Sequence, residues 1–128
     1  MSFIVSHGID IVSVKRITDS IRRGGSAFLN RVYTASECRY CKNRARKFEH
    51  FAARFAVKEA LIKALGNKAH CVALNQIEVK NLPSGKPTLH LKPAVMKKAG
   101  LSSKTKIEVS LSHEREFAVA SVILIHTG

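Results

Sequence analysis

The segment from Arg54 to Ala64 has the residue pattern of an amphipathic α-helix that carries a carboxylate on its apolar side. At about 100° per residue, an apolar stripe roughly 80° wide collects five side chains: Phe48, Phe51, Ala52, Phe55 and Ile62. Glu59 falls in the middle of this stripe, and Lys63 lies at its edge. Arg54 and Lys58 are predicted to flank the opposite side. The rest of the chain is expected to pack around this helix.

The position of Glu59 calls for a cationic partner, because a carboxylate on an apolar helix face is costly unless a positive charge meets it. Lys63, four residues further on, would form an ordinary i, i+4 pair with it. A metal ion or a charged ligand would satisfy the carboxylate equally well. The helix alone leaves both interpretations open.

Length and composition predict one domain that spans residues 1–128. The chain has 128 residues, of which 45% are hydrophobic and spread along its length, and this suits a single core. The N-terminus lacks a basic segment followed by a long apolar core, and the last apolar run, Phe117 to Ile125, is too short to span a bilayer. We therefore expect a cytoplasmic protein without a membrane partner.

The three cysteines predict free thiols in a reducing compartment, since an odd number without regular spacing does not suit a disulfide framework. Cys38-x-x-Cys41, together with His70 and Cys71, has the donor types of a zinc site. One C-x-x-C pair is weak support for zinc, so the sequence favours three ordinary thiols.

The net charge of +13, from 22 basic and 9 acidic residues, indicates an anionic partner. Nucleic acid, a membrane surface, a phosphorylated small molecule and an acidic protein all meet this requirement. Trp is absent and aromatic residues make up 6% of the chain, so stacking platforms for nucleic acid are sparse. A helix predicted from Ser13 to Arg23 carries four cations off its buried stripe, either as a solvated face or as a docking surface: Lys15, Arg16, Arg22 and Arg23.

A strand is predicted from Ile4 to Val12, and it contains an acid, Asp10, where aspartate is disfavoured. Gly8 lies two residues earlier on the same face and leaves room for the close approach of another group. Asp10 has two interpretations that the strand does not distinguish. It either caps the following helix or binds a ligand.

The remaining elements are predicted from periodicity, turn residues and caps. Gly24-Gly25 is expected to end the first helix, a connection follows to Val32, and Thr34 with Glu37 forms a capping box for a short helix. Beyond these we expect a helix at 45–65, a loop at 67–75, strands at 76–81 and 88–91, a short helix at 93–99, and strands at 106–112 and 117–125. The last strand is apolar on both faces, which predicts a central strand covered on both sides. Together they predict an α+β fold in which an antiparallel sheet packs against one long helix plus shorter helices.

Several polar residues in apolar surroundings point to one site: Asp10, Glu59, Lys63 and His113. Two carboxylates from different elements suit Mg²⁺ bound with a phosphate-rich ligand, since magnesium takes oxygen ligands and keeps several waters. Lys63 and Arg54 are suited to phosphate oxygens that the metal does not reach.

Four motifs occur in an order and spacing that resemble the holo-[acyl-carrier-protein] synthases, the small single-domain type of 4′-phosphopantetheinyl transferase. They are Gly8-Ile9-Asp10-Ile11-Val12, Arg54–Ala60 followed by Lys63-Ala64-Leu65-Gly66, Gly85-Lys86-Pro87, and Ser110-Leu111-Ser112-His113. The resemblance covers essentially the whole chain and implies a 4′-phosphopantetheinyl transferase-like fold. One departure is the segment 67–73, which is often glycine-rich in that family, so its contacts with a cofactor are not carried over.

The resemblance implies Mg²⁺-dependent transfer of 4′-phosphopantetheine from coenzyme A to a serine of apo-acyl carrier protein, with release of adenosine 3′,5′-bisphosphate, in fatty acid biosynthesis. It implies that Asp10 and Glu59 bind Mg²⁺ and that Lys63 contacts phosphate. It also implies that Arg54 and His113 hold the adenosine 3′-phosphate end. A homotrimer with active sites between subunits belongs to the same expectation.

The implied chemistry leaves the general base open between Glu59 and a water on the metal, while Lys63 stabilises the developing charge. The basic helix led by Arg16 would dock an acidic carrier, which accounts for the net charge without nucleic acid. The competing interpretation is a small basic nucleic-acid-binding protein, in which Asp10 is a cap and Glu59 forms a simple pair. It leaves the acid on the apolar helix face unexplained.

Overall fold

Two antiparallel sheets and four α-helices make up the fold in a computed structural model that describes residues 3–127. The strands are β1 (Phe3–Ser13), β2 (Glu78–Asn81), β3 (Pro87–His90), β4 (Thr105–His113) and β5 (Phe117–Thr127). The helices are α1 (Val14–Val32), α2 (Ala35–Lys42), α3 (Lys47–Ala64) and α4 (Pro93–Lys98), and two 3-10 helices occupy Gly66–Cys71 and Leu74–Gln76.

The larger sheet has the strand order β1-β5-β4, with each neighbouring pair antiparallel. This confirms the predicted α+β fold, although β2 and β3 form a separate two-stranded sheet. The long helix α3 packs along one face of the larger sheet, against β1 and β5. Within residues 3–127, the helices are too short or too polar to cross a membrane.

The packing of α3 on β1 depends on Gly8. A Cβ atom at this position would overlap the carbonyl oxygen of Ala60 and lie 2.8 Å from the amide nitrogen of Ala64. Both are backbone atoms, so no change of rotamer relieves the clash. The close approach expected at Gly8 is therefore made by α3 itself, and it sets the distance between β1 and the last turns of the helix.

The prediction for the buried side of α3 was wrong in part. The fully buried side is lined by small and branched residues: Ala52, Ala56, Val57, Ala60 and Leu61. Phe55 and Ile62 are only partly buried, whereas Arg54 and Lys58, expected to flank the stripe, are buried. Pattern analysis places the largest apolar side chains inward. A helix that approaches a strand at a glycine instead turns its alanines toward the sheet.

The end predicted for α1 was also wrong, because the helix resumes after a kink and continues to Val32. Gly25 forms the kink with φ 55° and ψ −138°, a backbone conformation that glycine adopts readily. The segment after it is helical because it buries Leu29 and Val32 in the core. The loop expected at 67–75 likewise contains the two 3-10 helices.

The face of the larger sheet opposite α3, here called the outer face, is apolar and has no covering element among the described residues. Val5, Ile9 and Ile11 on β1 are 54%, 56% and 65% exposed. The central position predicted for β5 is confirmed. Within a single chain, however, β5 is covered on one side and not on both, because the buried residues all lie on its inner face: Ala118, Ala120, Val122 and Leu124. An exposed apolar sheet face of this kind marks an interaction surface.

Candidate active site

Asp10 and Lys63 join the inner face of β1 to the last turn of α3. Lys63 Nζ lies 3.1 Å from Asp10 Oδ1 and donates a hydrogen bond to the Ile9 carbonyl oxygen at 3.0 Å. Ser13 is the N-cap of α1, because its hydroxyl accepts a hydrogen bond from the Arg16 amide. Asp10 is therefore not the helix cap, and its carboxylate is held beside a lysine from another element.

Glu59 and Asp10 line the same pocket, whose volume is about 340 Å³. Burial raises the pKa of Glu59, and the negative charge of Asp10 raises it further, while Lys63 opposes both effects. Among the residues that the structure describes, no ion pair joins Glu59 to Lys63, whose carboxylate partner is Asp10. The i, i+4 pair is thus not formed, and two carboxylates face one pocket.

The rest of this pocket combines a cation with an apolar wall. Arg16 lines it from α1, together with Ser20. The apolar wall is formed by Ile11, Val12, Ile17, Phe28 and Phe55. Because Arg16 and Phe28 come from opposite sides of the kink at Gly25, both halves of α1 contribute to the pocket.

The carboxylates of this pocket fit a magnesium ion. Magnesium is usually held by one or two carboxylates, with water and substrate phosphates as the other ligands. The repulsion from Asp10 that helps to raise the pKa of Glu59 would be relieved by a divalent cation. Across residues 3–127, no three His, Cys, Asp or Glu side chains are grouped to enclose a metal. The donors therefore suit a metal that is shared with a ligand.

His113 lies outside this pocket, at the end of β4. Its Nδ1 is 2.9 Å from Glu49 Oε1, and the two side chains line a second pocket of about 480 Å³ at the turn between β4 and β5. Glu49 precedes Glu59 by ten residues on α3, which is about 15 Å along the helix axis. Within one chain, His113 and the carboxylate pocket are therefore separate.

Arg54 is also outside the carboxylate pocket and is only 3% exposed. Its Nη2 donates to Asn81 Oδ1 at 2.8 Å, and its Cζ lies 4.1 Å from the centroid of the Tyr40 ring. Its Nε is buried and has no hydrogen-bond partner within the described chain. Arg54 is thus a buried cation held by neutral groups.

Comparison with known proteins assigns the family. The sequence profile of the 4′-phosphopantetheinyl transferase superfamily matches residues 6–122. The chain belongs to the 4′-phosphopantetheinyl transferase superfamily. A relative from Koribacter versatilis named holo-[acyl-carrier-protein] synthase is 47% identical over 124 residues, which cover 94% of this chain and 98% of the relative. A relative of the same name from Halothermothrix orenii is 43% identical over 116 residues, which cover 91% and 93%.

Solved structures of the superfamily share the fold. The crystal structure of a holo-(acyl-carrier-protein) synthase from Bacillus anthracis in complex with CoA (3′,5′-ADP) aligns with a TM-score of 0.76 and 34% identity, covering 98% of this chain and 100% of that one. The 4′-phosphopantetheinyl transferase-like fold expected from the motifs is confirmed. These relatives are named holo-[acyl-carrier-protein] synthase, so they give no support to the interpretation as a nucleic-acid-binding protein.

The docking surface predicted for this transferase lies on the exposed side of α1. Lys15 pairs with Asp19 at 2.9 Å, and the Arg22 guanidinium lies 5.3 Å from the Phe48 ring. The four predicted cations are all exposed: Lys15, Arg16, Arg22 and Arg23. Since Arg16 also lines the carboxylate pocket, the basic surface and the pocket are continuous.

Glu37 and Lys58, neither of which lines the carboxylate pocket, form a buried ion pair. Lys58 Nζ lies 2.6 Å from Glu37 Oε1 and donates to the carbonyl oxygens of Val32 at 2.7 Å and Leu74 at 3.0 Å. Burial lowers the pKa of Lys58, and Glu37 opposes this effect. The capping role predicted for Glu37 is confirmed, but its other oxygen also accepts the Val79 amide at 2.8 Å. A capping signal is local, so it gives no indication of a partner on α3.

The cysteines of the transferase do not gather around a common point. Cys38 and Cys41 lie on α2, and Cys71 Sγ lies 3.6 Å from His70 Nε2 in a 3-10 helix. Burial raises the pKa of Cys41 to about 12 and also raises that of Cys38, so thiolates are disfavoured at both positions. All three are free thiols.

Proposed function

We propose that this chain transfers the 4′-phosphopantetheine group of coenzyme A to a serine hydroxyl of apo-acyl carrier protein and releases adenosine 3′,5′-bisphosphate, a step of fatty acid biosynthesis. The observation that carries the proposal is the pocket in which Asp10 and Glu59 meet beside Lys63. The names of the relatives and the CoA in the Bacillus anthracis complex support this pair of substrates. We assign residues 1–128 to one catalytic domain.

Asp10 and Glu59 are the residues that would hold Mg²⁺. The ion, when bound, supplies charge neutralisation at the pyrophosphate of coenzyme A. The raised pKa of Glu59 implies that a proton and the metal compete for its carboxylate, so metal affinity should weaken as the pH falls.

Lys63 is placed to hold a phosphate oxygen of the donor. Its side chain is 55% exposed, so it can turn from Asp10 to the ligand, and the charge of Asp10, which is 15% exposed, would then be balanced by Mg²⁺. It would stabilise the negative charge that develops on the leaving phosphate. Glu59 is our candidate for the group that takes the serine proton, because its carboxylate lines the pocket beside Asp10. A water in the site is the alternative acceptor.

We propose that Arg54 and His113 hold the adenosine 3′-phosphate, and that they do so across a subunit boundary. Support comes from His113, which lies away from the carboxylate pocket of its own chain. The outer face supports self-association, since Ile9 and Ile11 are more than half exposed there. A homotrimer in which each subunit completes the site of its neighbour accommodates both observations.

The basic side of α1 would dock an acidic carrier protein, with Arg16 at the border between the docked carrier and the carboxylate pocket. Long-range attraction of this kind speeds encounter and weakens with salt. Arg16→Glu should therefore raise the KM for the carrier most at low ionic strength, where the lost attraction is least screened, and change the KM for coenzyme A less. Equal carrier KM values for variant and wild type at low salt would contradict this role. The free thiols support a reducing, cytoplasmic location.

The experiment that tests the function follows the mass of an apo-carrier incubated with coenzyme A and Mg²⁺. Wild type should add the mass of phosphopantetheine, and a chelator should prevent it. Glu59→Gln should lose nearly all transfer while still binding the carrier. Glu78→Gln, a partly buried glutamate on β2 outside the site, is the matched control and should remain active. Near-normal turnover of Glu59→Gln at saturating Mg²⁺, or stabilisation by duplex DNA without any by coenzyme A, would contradict the proposal.

A further inference from the structure

Arg54 carries a charge that no ion pair among the described residues balances. None of the ion pairs formed within residues 3–127 includes it, although its side chain is almost fully buried. Its buried Nε is also unpaired. Both features are unfavourable in an isolated chain. They are accounted for when an anionic ligand supplies the missing charge.

Two neutral side chains fix the Arg54 guanidinium from different elements. Asn81, at the end of β2, accepts its Nη2 hydrogen bond at 2.8 Å and donates to the Gly85 carbonyl oxygen at 2.9 Å. This one side chain therefore ties Arg54 to the turn between β2 and β3. The Tyr40 ring from α2 lies 4.1 Å from the Arg54 Cζ and equally close to that of Arg44.

We propose that Tyr40 and Asn81 are positioning residues that fix Arg54 for the 3′-phosphate of coenzyme A, and that they thereby set the preference for coenzyme A over dephospho-coenzyme A. The inference rests on the proposed function, in which Arg54 contacts this phosphate. A guanidinium already held in one plane loses little side-chain entropy when it binds a phosphate. Neither positioning residue needs to touch the donor for this effect.

Comparing coenzyme A with dephospho-coenzyme A as substrates distinguishes a residue that positions Arg54 from one that only stabilises the fold. A residue that acts through Arg54 affects coenzyme A and has little effect on a donor that lacks the 3′-phosphate. A residue that only stabilises the fold affects both donors by the same factor. The measured quantity is therefore the ratio of kcat/KM for coenzyme A to kcat/KM for dephospho-coenzyme A.

The experiment measures this ratio at saturating apo-carrier and Mg²⁺ for wild type, Asn81→Ala and Tyr40→Leu. Both variants should lower it about tenfold, the effect of one charge-assisted hydrogen bond for Asn81 and of one buried cation–π contact for Tyr40, through a higher KM for coenzyme A. Tyr40→Phe keeps the ring and should keep the ratio. Asn75→Ala is the matched control, since this exposed asparagine also loses one hydrogen bond, from its Nδ2 to the Asn30 carbonyl oxygen at 3.1 Å. Its ratio should equal that of wild type.

An equal loss with both donors in Asn81→Ala would overturn the proposal, and because Asn81 is exposed the variant should fold. In an Arg54→Gln background, Asn81→Ala should lower the ratio no further, so an additive loss would also overturn it. The proposed function fails separately, if wild type adds no mass to the carrier from coenzyme A. If the wild-type protein uses coenzyme A and dephospho-coenzyme A equally well, the role of Arg54 and this inference are both refuted. The proposed transfer reaction is not affected by that result.

Discussion

Replacing Lys58 by methionine should destabilise the protein strongly, because the change leaves the buried Glu37 carboxylate without its counter-charge. Lys58 also donates to the carbonyl oxygens of Val32 and Leu74, so one substitution deprives three acceptors of their donor. Removing one member of a buried ion pair costs about 3–5 kcal/mol. A typical domain has a free energy of unfolding of about 5–15 kcal/mol. Lys58→Met should thus lose a large part of its stability.

Removing both charges should not restore the lost stability. Glu37 also accepts hydrogen bonds from the amides of Thr34 and Val79. A double variant with Lys58→Met and Glu37→Leu therefore leaves two amides and two carbonyls unpaired. The Val32 carbonyl and the Val79 amide are buried and cost about 1 kcal/mol or more each when unpaired, while the Thr34 amide and the Leu74 carbonyl are partly buried and cost less. The variant should therefore remain at least about 2 kcal/mol below wild type.

Urea unfolding followed by circular dichroism, at pH 7 and one protein concentration, measures both effects. Lys15→Met is the matched control, since the Lys15–Asp19 pair has a similar N–O distance of 2.9 Å but is exposed to solvent. Exposed pairs contribute little, so its unfolding midpoint should equal that of wild type. A wild-type midpoint for Lys58→Met would refute the role of the buried pair. A double variant as stable as wild type would refute the argument from its backbone partners.

Three further outcomes are expected. Gly8→Ala should lower stability and transfer activity together, because its methyl group would displace β1 from the Ala60 carbonyl oxygen and move Asp10; full activity per folded molecule would contradict this. Ile9→Lys on the outer face should reduce the sedimentation coefficient without changing the circular dichroism spectrum, since Ile9 is 56% exposed in one chain; an unchanged coefficient would argue against self-association through this face. Stability should fall as the pH rises above 9, because the pKa of Cys41 is raised from 9.0 to about 12 in the folded chain and the unfolded chain loses this proton first. Urea midpoints between pH 9 and 12 should show a smaller decrease for Cys41→Ala.

The elements that sequence reasoning placed well depend on local signals. The alternation along β4 and the continuous apolar run of β5 predict strands whichever partner they choose, and their pairing follows from the short turn between them. The capping box of Thr34 and Glu37 is equally local and is formed as expected. At Gly8 the sequence predicted that another group approaches closely. It did not indicate that this group is the backbone of α3.

The charged contacts of the candidate site were less predictable, because they join residues far apart in the chain. Helix spacing predicted that Lys63 would pair with Glu59, yet the carboxylate partner of Lys63 is Asp10, 53 residues away in the chain. Lys58 was expected beside the apolar stripe, and it is buried because Glu37 and two carbonyl oxygens are positioned to receive it. Periodicity reports which side of a helix is apolar, but it carries no information about which distant group neutralises a charge.

The kink at Gly25 gives the two parts of α1 separate roles. The part before it carries Arg16 and the other cations of the proposed docking surface and buries Val14 and Ile17, and the part after it supplies Leu29 to the core and the Val32 carbonyl oxygen to Lys58. Because the parts meet at a glycine, substitutions in the first need not disturb the second. If α1 docks the carrier as proposed, its exposed cations can be changed without altering the buried contacts of the second part. A chimera that exchanges only Lys15, Arg16, Arg22 and Arg23, and keeps the buried Val14 and Ile17, should change its carrier preference without altering the core.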